Sequence, residues 1–290
     1  MSTAVAAPDS ASRRLLQAFL ASFRLGWAVN SNWTRPSLFI IYSVLRPISG
    51  ALVLVFMYQA ITGSSVATQY LAFLVVGTAF WGFVQGTIAG FADCVSEDRS
   101  RYRMLKYVYI AAPRFGVYLL GRCAAFLVTS TGAVAVVMLV STPLLHLPVS
   151  LSSLNLPLLL LAMLLATVVV AVIAVAYGVL LLALRDSYGY GELLSQLLYI
   201  ISGAIFPLTV LPGALRVLSE LLPLGYWLEL VRRSLLGAGT IRLYPQLSDF
   251  AVLGRLVLTT IGLAVVAQGV YVLADRRARR LGLIDMETQV

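Results

Sequence analysis

The stretch LPLLLLAMLLATVVVAVIAVAYGVLLLAL, residues 156–184, contains no formal charge. About 20 consecutive apolar residues are enough for a helix to cross the hydrocarbon core of a bilayer, and this run is longer. A short polar turn, Arg185–Asp186–Ser187, follows directly. The sequence therefore predicts a transmembrane helix that ends at a membrane surface.

The composition of the whole chain agrees with a membrane location. The protein has 290 residues, of which 60% are hydrophobic and 11% are charged, and its mean hydropathy is +0.92. A soluble domain carries about 25% charged residues, so a soluble globular protein is excluded. The net charge is +9, and the cations flank apolar runs. This placement favours contact with an anionic membrane surface over binding to nucleic acid.

Similar apolar runs occur on both sides of this stretch. Pro36 suits the first turn of the earliest run, and Arg46–Pro47 predicts a kink within it. In the next run, Gly77, Gly82, Gly86 and Gly90 form a stripe of small residues that would let another helix approach closely. With residues 156–184, we predict an all-α integral membrane protein with six transmembrane helices, the others at about 37–61, 71–95, 115–141, 188–206 and 250–274.

The two ends of the chain are predicted to lie outside the bilayer. Residues 1–11 are small and polar, show no secretory signal and predict a disordered tail. Residues 12–35 begin with an amphipathic helix at 12–29, which favours a position in the membrane interface. The Asp-Arg-Arg-Ala-Arg-Arg run at 275–280 stops the last span and leads into a short tail. Six spans place both termini on one side.

The positions of Arg and Lys predict which side that is. The N-terminal segment, the connection at 96–114, the turn at 185–187 and the segment 276–280 all fall on one side and hold most of the cations. Because such residues are enriched in cytoplasmic loops, we expect both termini to be cytoplasmic.

A polar segment, SEDRSRYRMLKYVYIAAP at residues 96–113, interrupts the apolar pattern with six charged residues. After Asp98 the pattern predicts a short amphipathic helix, with Tyr102 and Leu105 on one face and Arg99 and Arg103 on another. Such a helix can lie on lipid head groups or dock into a groove of another protein. The sequence leaves both possibilities open.

A second irregular segment lies before the last span. Residues 207–236 are apolar, but Pro207, Pro212 and Pro223 interrupt them. No single continuous span fits. Two short helices, at 212–222 and 224–236, that enter the membrane and return would fit.

Chemistry-bearing residues are few. His146 lies in a predicted loop between prolines, and Cys94 and Cys123 fit neither a zinc spacing nor a disulfide framework. The chain contains neither an H-E-x-x-H motif nor a G-x-x-x-x-G-K-[ST] phosphate-binding loop. We therefore predict no catalytic residue and no metal site. If transport is driven by ATP, the ATP is hydrolysed by another polypeptide.

Charged residues near the spans have two interpretations. Arg46 and Glu192 either pair or line the cytoplasmic mouth of a pathway, or they extend to the inner head groups. Arg122 is interpreted as reaching the head groups. Glu220, Glu229, Arg232 and Arg233 could guard an exit, but pairing with each other is the favoured interpretation. Aromatic residues on the first and fifth spans are candidate cargo contacts, although packing is the commoner role; these are Phe39, Tyr42, Phe56, Tyr199 and Phe206.

Residues 96–122 and 202–237, in this order within six spans and after an amphipathic helix, resemble the permease subunit of ABC exporters of the ABC-2 (type V) class. The resemblance covers about residues 12–275 and implies a six-span domain at 36–275. It also implies that residues 96–113 form the coupling helix, which seats in a cleft of the nucleotide-binding subunit. The contact residues would be Glu97, Asp98, Arg99, Arg101, Tyr102, Arg103 and Met104.

The same resemblance implies how the complex works. Residues 207–236 would be a re-entrant pair that closes the outer mouth, with Pro207, Pro212, Pro223 and Glu229 as gate residues. Two permeases, here most simply a homodimer, would pair through their first and fifth spans in a bacterial plasma (inner) membrane. ATP and Mg would bind only to the partner subunit.

The cargo expected from the resemblance is an amphipathic drug or antibiotic, a lipid-linked glycan or a polysaccharide. The alternative is an ion-coupled secondary transporter or channel. Such a protein would favour repeated halves or acidic relays within the spans, and the sequence shows no repeat and few buried acids.

Overall fold

The computed structural model describes residues 11–31, 68–100, 115–149, 154–182, 189–237 and 241–280, with scattered single positions between 41 and 63 and between 102 and 110. Its regular structure in these ranges is helical, with no strand. A 3₁₀ turn lies at Leu208–Val210. The α-helices are α1 Ala11–Ser31, α2 Thr68–Ser100, α3 Phe115–Leu144, α4 Leu156–Leu182, α5 Tyr190–Ile201, α6 Gly213–Leu221, α7 Pro223–Leu236 and α8 Asp249–Arg280.

Four of these helices are long and apolar enough to cross a membrane. They span Gln69–Arg99, Phe115–Leu144, Leu156–Leu181 and Asp249–Arg277. These helices confirm the predicted runs at 71–95, 115–141, 156–184 and 250–274. The run predicted at 37–61, including Arg46 and its kink, lies largely outside the described residues.

The predicted fifth span is shorter than expected. The helix α5 has 12 residues and ends at Ile201, after which Gly203 adopts a φ of 76°. A helix of this size is about 18 Å long, less than the hydrocarbon core of about 30 Å. The prediction of one continuous span over 188–206 is therefore wrong, because the chain leaves the helix at a glycine in the left-handed region.

The helix α2 lies at the centre of the fold. Most residues of its spanning segment are buried, and the helix packs against α3, α4, α5 and α7. Two members of its glycine stripe face α3, since an added Cβ at Gly86 or Gly90 would meet Ser130 or Phe126. On another side, Gly191 of α5 lies against the backbone of α2. The predicted role of small residues in close helix packing is confirmed at these positions.

The helices bring different elements together at the two ends of the molecule. At the first, which we call the α1 end, α1 packs along the start of α3, where a Cβ at Gly121 would meet Phe19 and Ser22. The end of α8 is near as well, with Tyr271 beside Gly116. The opposite end, called the α7 end, contains α6, α7 and the loop 241–248, and there the Asn155 amide donates to the Ser234 carbonyl.

The two short helices before the last span begin and end close to the predicted residues. Pro212 immediately precedes α6, and Pro223 is the first residue of α7. Proline is favoured in these positions because the first amides of a helix have no intrahelical acceptor. Every residue of α7 is buried, whereas most of α6 is exposed. Entry of this pair into the membrane stays a prediction.

The polar segment 96–113 is not one separate helix. The helix α2 continues through Ser100, so its last turn contains Glu97 and Asp98. The chain is then non-helical at residues 102–104, and it is helical again at the described positions 107, 108 and 110. The expectation of a helix that starts directly after Asp98 is therefore wrong at its beginning.

Candidate functional site

A buried polar cluster joins the end of α2 to the start of α3. Asp98 is only 1% exposed, and the guanidinium of Arg122 donates to its Oδ1 at 3.1 Å. The Tyr118 hydroxyl donates to the other carboxylate oxygen. Arg122 also contacts the sulfur of Cys94, one turn before Asp98. The cluster therefore joins the end of α2 directly to the start of α3, the two helices that residues 101–114 connect.

These positions change two interpretations from the sequence. Arg122 is 2% exposed and ion-paired, so its predicted extension to the lipid head groups is wrong. Asp98 was expected among the residues that contact an ATPase subunit. Its carboxylate lies inside the protein and is bound by Tyr118 and Arg122, which leaves it unavailable to a partner in this structure.

The end of α2 has an unusual backbone. The amide of Tyr102 donates to the Glu97 carbonyl at 2.9 Å, and the amide of Met104 donates to the Asp98 carbonyl at 3.0 Å. Between them Arg103 has a φ of 49°. A residue with a Cβ in this region costs about 1–2 kcal/mol, so the conformation is set by the surrounding contacts.

This turn determines which predicted contact residues face outward. Tyr102 and Arg103 are exposed, Met104 is half-buried, and Glu97 and Arg99 are half-buried on the last turn of α2. Arg101 lies outside the described residues.

The N-terminal helix packs along α3 next to Arg122, the partner of Asp98. Ser22 and Gly26 of α1 are buried against α3, and an added Cβ at Gly26 would lie 2.8 Å from the Cβ of Ala125. Arg14 and Arg24 are exposed. The α1 end of the protein therefore combines a polar connection with an exposed basic helix.

Candidate pathway residues are only partly described. Glu192, in the first turn of α5, accepts hydrogen bonds from Gln85 at 2.6 Å and from Gln196 at 2.9 Å. Arg46, Phe39 and Tyr42 lie outside the described residues, so the proposed pairing of Arg46 with Glu192 stays a prediction.

The described aromatic candidates have different environments. Tyr199 stacks on Trp81 with ring centroids 5.2 Å apart, which is a packing contact within the chain. Phe206 is 38% exposed and Phe56 is 61% exposed. Their contact with a cargo stays a prediction.

At the α7 end, Arg232 is fully buried, and no carboxylate among the described residues forms an ion pair with it. Its guanidinium donates to the Gly203 carbonyl at 3.1 Å and to the Ala204 carbonyl at 2.8 Å. These carbonyls follow the end of α5, where intrahelical donors are lacking. The guanidinium also lies 3.6 Å from the centre of the Phe73 ring of α2, in the geometry of a cation–π interaction.

The neighbouring residue, Arg233, forms a network on the other side of α7. It donates to Glu229 at 2.8 Å and to Asp249 at 2.7 Å, and it also binds the Tyr244 and Leu247 carbonyls. The second oxygen of Glu229 accepts from the Leu243 amide. This network connects α7, the loop 241–248 and the start of α8.

Pairing within the predicted set of four charges is confirmed in one case, Glu229 with Arg233, whereas Glu220 pairs with Arg216, which was not in that set. Arg232 differs, because it binds backbone carbonyls instead of a carboxylate. Tyr244 stacks on Tyr226 beside the network, and burial raises the pKa of its hydroxyl far above the ordinary value, so Tyr244 stays neutral.

The predicted gate residues occupy different environments. Pro212 is exposed, Pro207 is half-buried before the 3₁₀ turn, and Pro223 and Glu229 are buried. Cys94 and Cys123 are buried free thiols. Among the described residues, no group of His, Cys, Asp and Glu is arranged to hold a metal ion.

Sequence reasoning missed two contacts, the pairing of Asp98 with Arg122 and the binding of Arg232 to backbone carbonyls. The first had a usable signal, because an arginine within a predicted span requires a partner. An acidic residue at the end of the preceding span is a natural choice. The second contact has no side-chain partner that the sequence could indicate.

These features define a polytopic helical membrane protein with a charged connection at one end and a pair of short helices at the other. Residues 20–236 match the model of the family described as ABC-2 type transporter. The match covers most of the chain, and the protein belongs to this family of ABC transporter permeases. No match was found among curated proteins.

Proposed function

We propose that this protein is the membrane-spanning subunit of an ATP-driven exporter, which moves an amphipathic substrate out of the cytoplasm. The observation that carries the proposal is the exposed polar turn at residues 102–104, held between two spanning helices by the buried pair of Asp98 and Arg122. The chain has no phosphate-binding loop of its own. A turn fastened in this way can transmit a displacement to both helices.

The proposed docking surface for the ATPase subunit consists of Tyr102, Arg103 and the exposed face of α1 at the same end of the protein. Arginine and tyrosine are enriched among residues that dominate protein interfaces. The buried Asp98 acts behind this surface by fixing the turn, instead of contacting the partner. ATP and Mg would bind to the partner, and this chain would bind neither.

The proposed orientation places the α1 end in the cytoplasm. Most cations of the chain, including those of α1, the polar connection and the end of α8, are at this end, as the positive-inside rule requires. A second copy of the chain is proposed to complete the pathway. The exposed apolar residues Leu193, Leu197 and Ile200 on α5 support such a contact.

The proposal is tested by co-expression with a P-loop ATPase, sought among the genes that neighbour the permease gene. In the variant Arg103→Gly the glycine keeps the left-handed backbone without strain, and only the side chain is lost. We expect the amount of co-purified ATPase to fall several-fold, because the docking surface loses an exposed cation. Nucleotide-dependent cargo movement in proteoliposomes should fall with it.

A matched control is His146→Gly. His146 is the other described non-glycine residue with positive φ, at 48°, and it is exposed at the far end of α3. This variant should leave ATPase association unchanged. Equal association in both variants would contradict the proposed surface. Movement of solute down an ion gradient by the purified chain alone would favour the secondary transporter instead.

A further inference from the structure

The segment that follows α5 rests on two neighbouring helices at once. Gly203 and Ala204 lie where the chain leaves α5, and both are buried. Their carbonyls accept hydrogen bonds from Arg232 of α7. On the α2 side the fit is equally close, because a Cβ added at Gly77 would collide with the Ala204 carbonyl and the Arg232 guanidinium.

The two helices that hold this segment form a fixed pair. Trp227 of α7 is fully buried and lies against the rings of Phe80 and Phe83 of α2, with centroids 6.3 and 5.9 Å apart. On another side of α7, Arg233 is bound to Asp249 of α8 and to the Tyr244 and Leu247 carbonyls of the loop 241–248. Movement of α7 would break these contacts together, so the helix is a rigid support.

Among the described residues, the hydrogen bonds that join residues 203–208 to another element are those of Arg232. Arg232 is fully buried, and its Nε has no hydrogen-bond partner among the residues that the structure describes. Its other donors bind main-chain oxygens, which remain in place whatever side chains the segment carries. Exposure alternates along the following residues, with Phe206 at 38%, Leu208 at 3% and Val210 at 70%. The segment can therefore separate from α2 and α7 when the guanidinium releases these carbonyls.

We propose that Arg232 is the positioning residue that latches residues 203–208 onto α2 and α7, so that the α7 end of the permease opens by release of this arginine from the Gly203 and Ala204 carbonyls. The proposal deepens the proposed function and rests on it, because an opening at this end is the exit that an exporter requires. The latch leaves α7 in place, and the moving part is the break after α5 with the 3₁₀ turn.

The reporter for the latch is a cysteine at Leu208, which is buried while the segment is attached. The full chain carrying Leu208→Cys is placed in nanodiscs and labelled with a polar maleimide. The native Cys94 and Cys123 are buried, and their labelling in the chain without the reporter gives the background. Arg232→Gln should raise the labelling rate at Leu208→Cys about tenfold, because hydrogen bonds from a charged donor are lost and the segment opens locally.

A second variant tests the same latch without touching the arginine. Gly77→Ala places a methyl group against Ala204 and Arg232, and it should raise the same labelling rate. The matched control is Gly82→Ala on the same helix, because nothing lies within 4 Å of a Cβ at that position. Arg216→Gln, an equal charge change at an exposed site of α6, should also leave the rate unchanged. These comparisons stay informative if Arg232→Gln does not fold.

A second reporter separates local release from general loosening. Val210→Cys is exposed in the latched state and should label at the same rate in every folded variant. Unchanged labelling of Leu208→Cys in Gly77→Ala, or in a folded Arg232→Gln, would overturn the proposal. An equal rise at both reporters would overturn it as well. Since no ATPase is present, failure of the latch is distinguishable from failure of the exporter proposal, which the Arg103→Gly experiment tests.

Discussion

Two arginine–glutamate pairs with the same spacing of four residues occur in consecutive helices, and their surroundings differ completely. In α6, Arg216 and Glu220 are 3.2 Å apart, with side chains 51% and 43% exposed. In α7, Arg233 and Glu229 are 2.8 Å apart, with side chains 3% and 0% exposed. The same local pattern therefore produces a solvated pair and a buried pair within twenty residues.

Burial and further partners, rather than spacing, therefore decide how much such a pair contributes to the stability of the fold. The α6 pair lies in surroundings of high dielectric constant, where an ion pair adds little to the free energy of unfolding. The α7 pair is embedded in a network in which Arg233 also binds Asp249 and two carbonyls. Removing one member there leaves the other charge buried and uncompensated.

The pair of Asp98 and Arg122 provides an intermediate case. Both side chains are 2% exposed, as deeply buried as the α7 pair. Two donors of Arg122, Nε and Nη1, have no hydrogen-bond partner among the described residues, in contrast to the donors of Arg233. The Asp98 pair is therefore less completely satisfied, and its loss should cost less than loss of the α7 pair.

The largest effect is expected from Arg233→Met. This change leaves the buried carboxylate of Glu229 without its cation, and breaking a buried pair in this way costs about 3–5 kcal/mol. The free energy of unfolding, measured by denaturation in detergent micelles, should fall by that amount.

The paired change Glu229→Gln with Arg233→Met is the control for this prediction. It removes both charges and should recover a substantial part of the loss. Equal stability of Arg233→Met and the unsubstituted chain would show that the α7 pair behaves like an exposed one.

A smaller effect is expected from Asp98→Asn. The asparagine keeps one oxygen that can accept from Tyr118 or Arg122, but the charge is lost, and a hydrogen bond to a charged group contributes about 1.5–3 kcal/mol. Unfolding in detergent should show a loss in this range.

A double-mutant cycle with Arg122→Met measures the interaction itself. The combined variant should lose less than the sum of the single changes, since each single change already breaks the same contact. Additive losses would mean that the pair does not couple α2 to α3, and they would weaken the proposed role of the turn it supports.

Much of the fold was predictable because the relevant signals are local. Long uncharged runs predicted the four spanning helices now described as α2, α3, α4 and α8. Pro212 and Pro223 predicted the start of the two short helices to within one residue. The end of α5 was predicted wrongly, although Ser202–Gly203 is a common turn signal, because an apolar run continues through it.

The site was less predictable because its contacts are not local. Asp98 and Arg122 belong to different helices, and the sequence alone shows only an arginine in a span. Arg232 binds main-chain oxygens, which carry no sequence signal. Arg103 was expected within a helix that begins after Asp98, and the pattern of charges gave no sign of its left-handed conformation.

The smallest effect is expected from Arg216→Gln, which removes the exposed pair of α6. Exposed pairs at this spacing contribute about 0.3–0.5 kcal/mol, and salt screens them further. Unfolding of this variant in detergent should differ from that of the unsubstituted chain by no more than this, and the difference should vanish at high ionic strength. The α6 pair has the same spacing and residue types as the α7 pair. A fall of several kcal/mol in the free energy of unfolding would therefore mean that α6 is covered in the assembled protein, by lipid or by a second copy. The difference in burial between the two pairs would then exist only in the isolated chain.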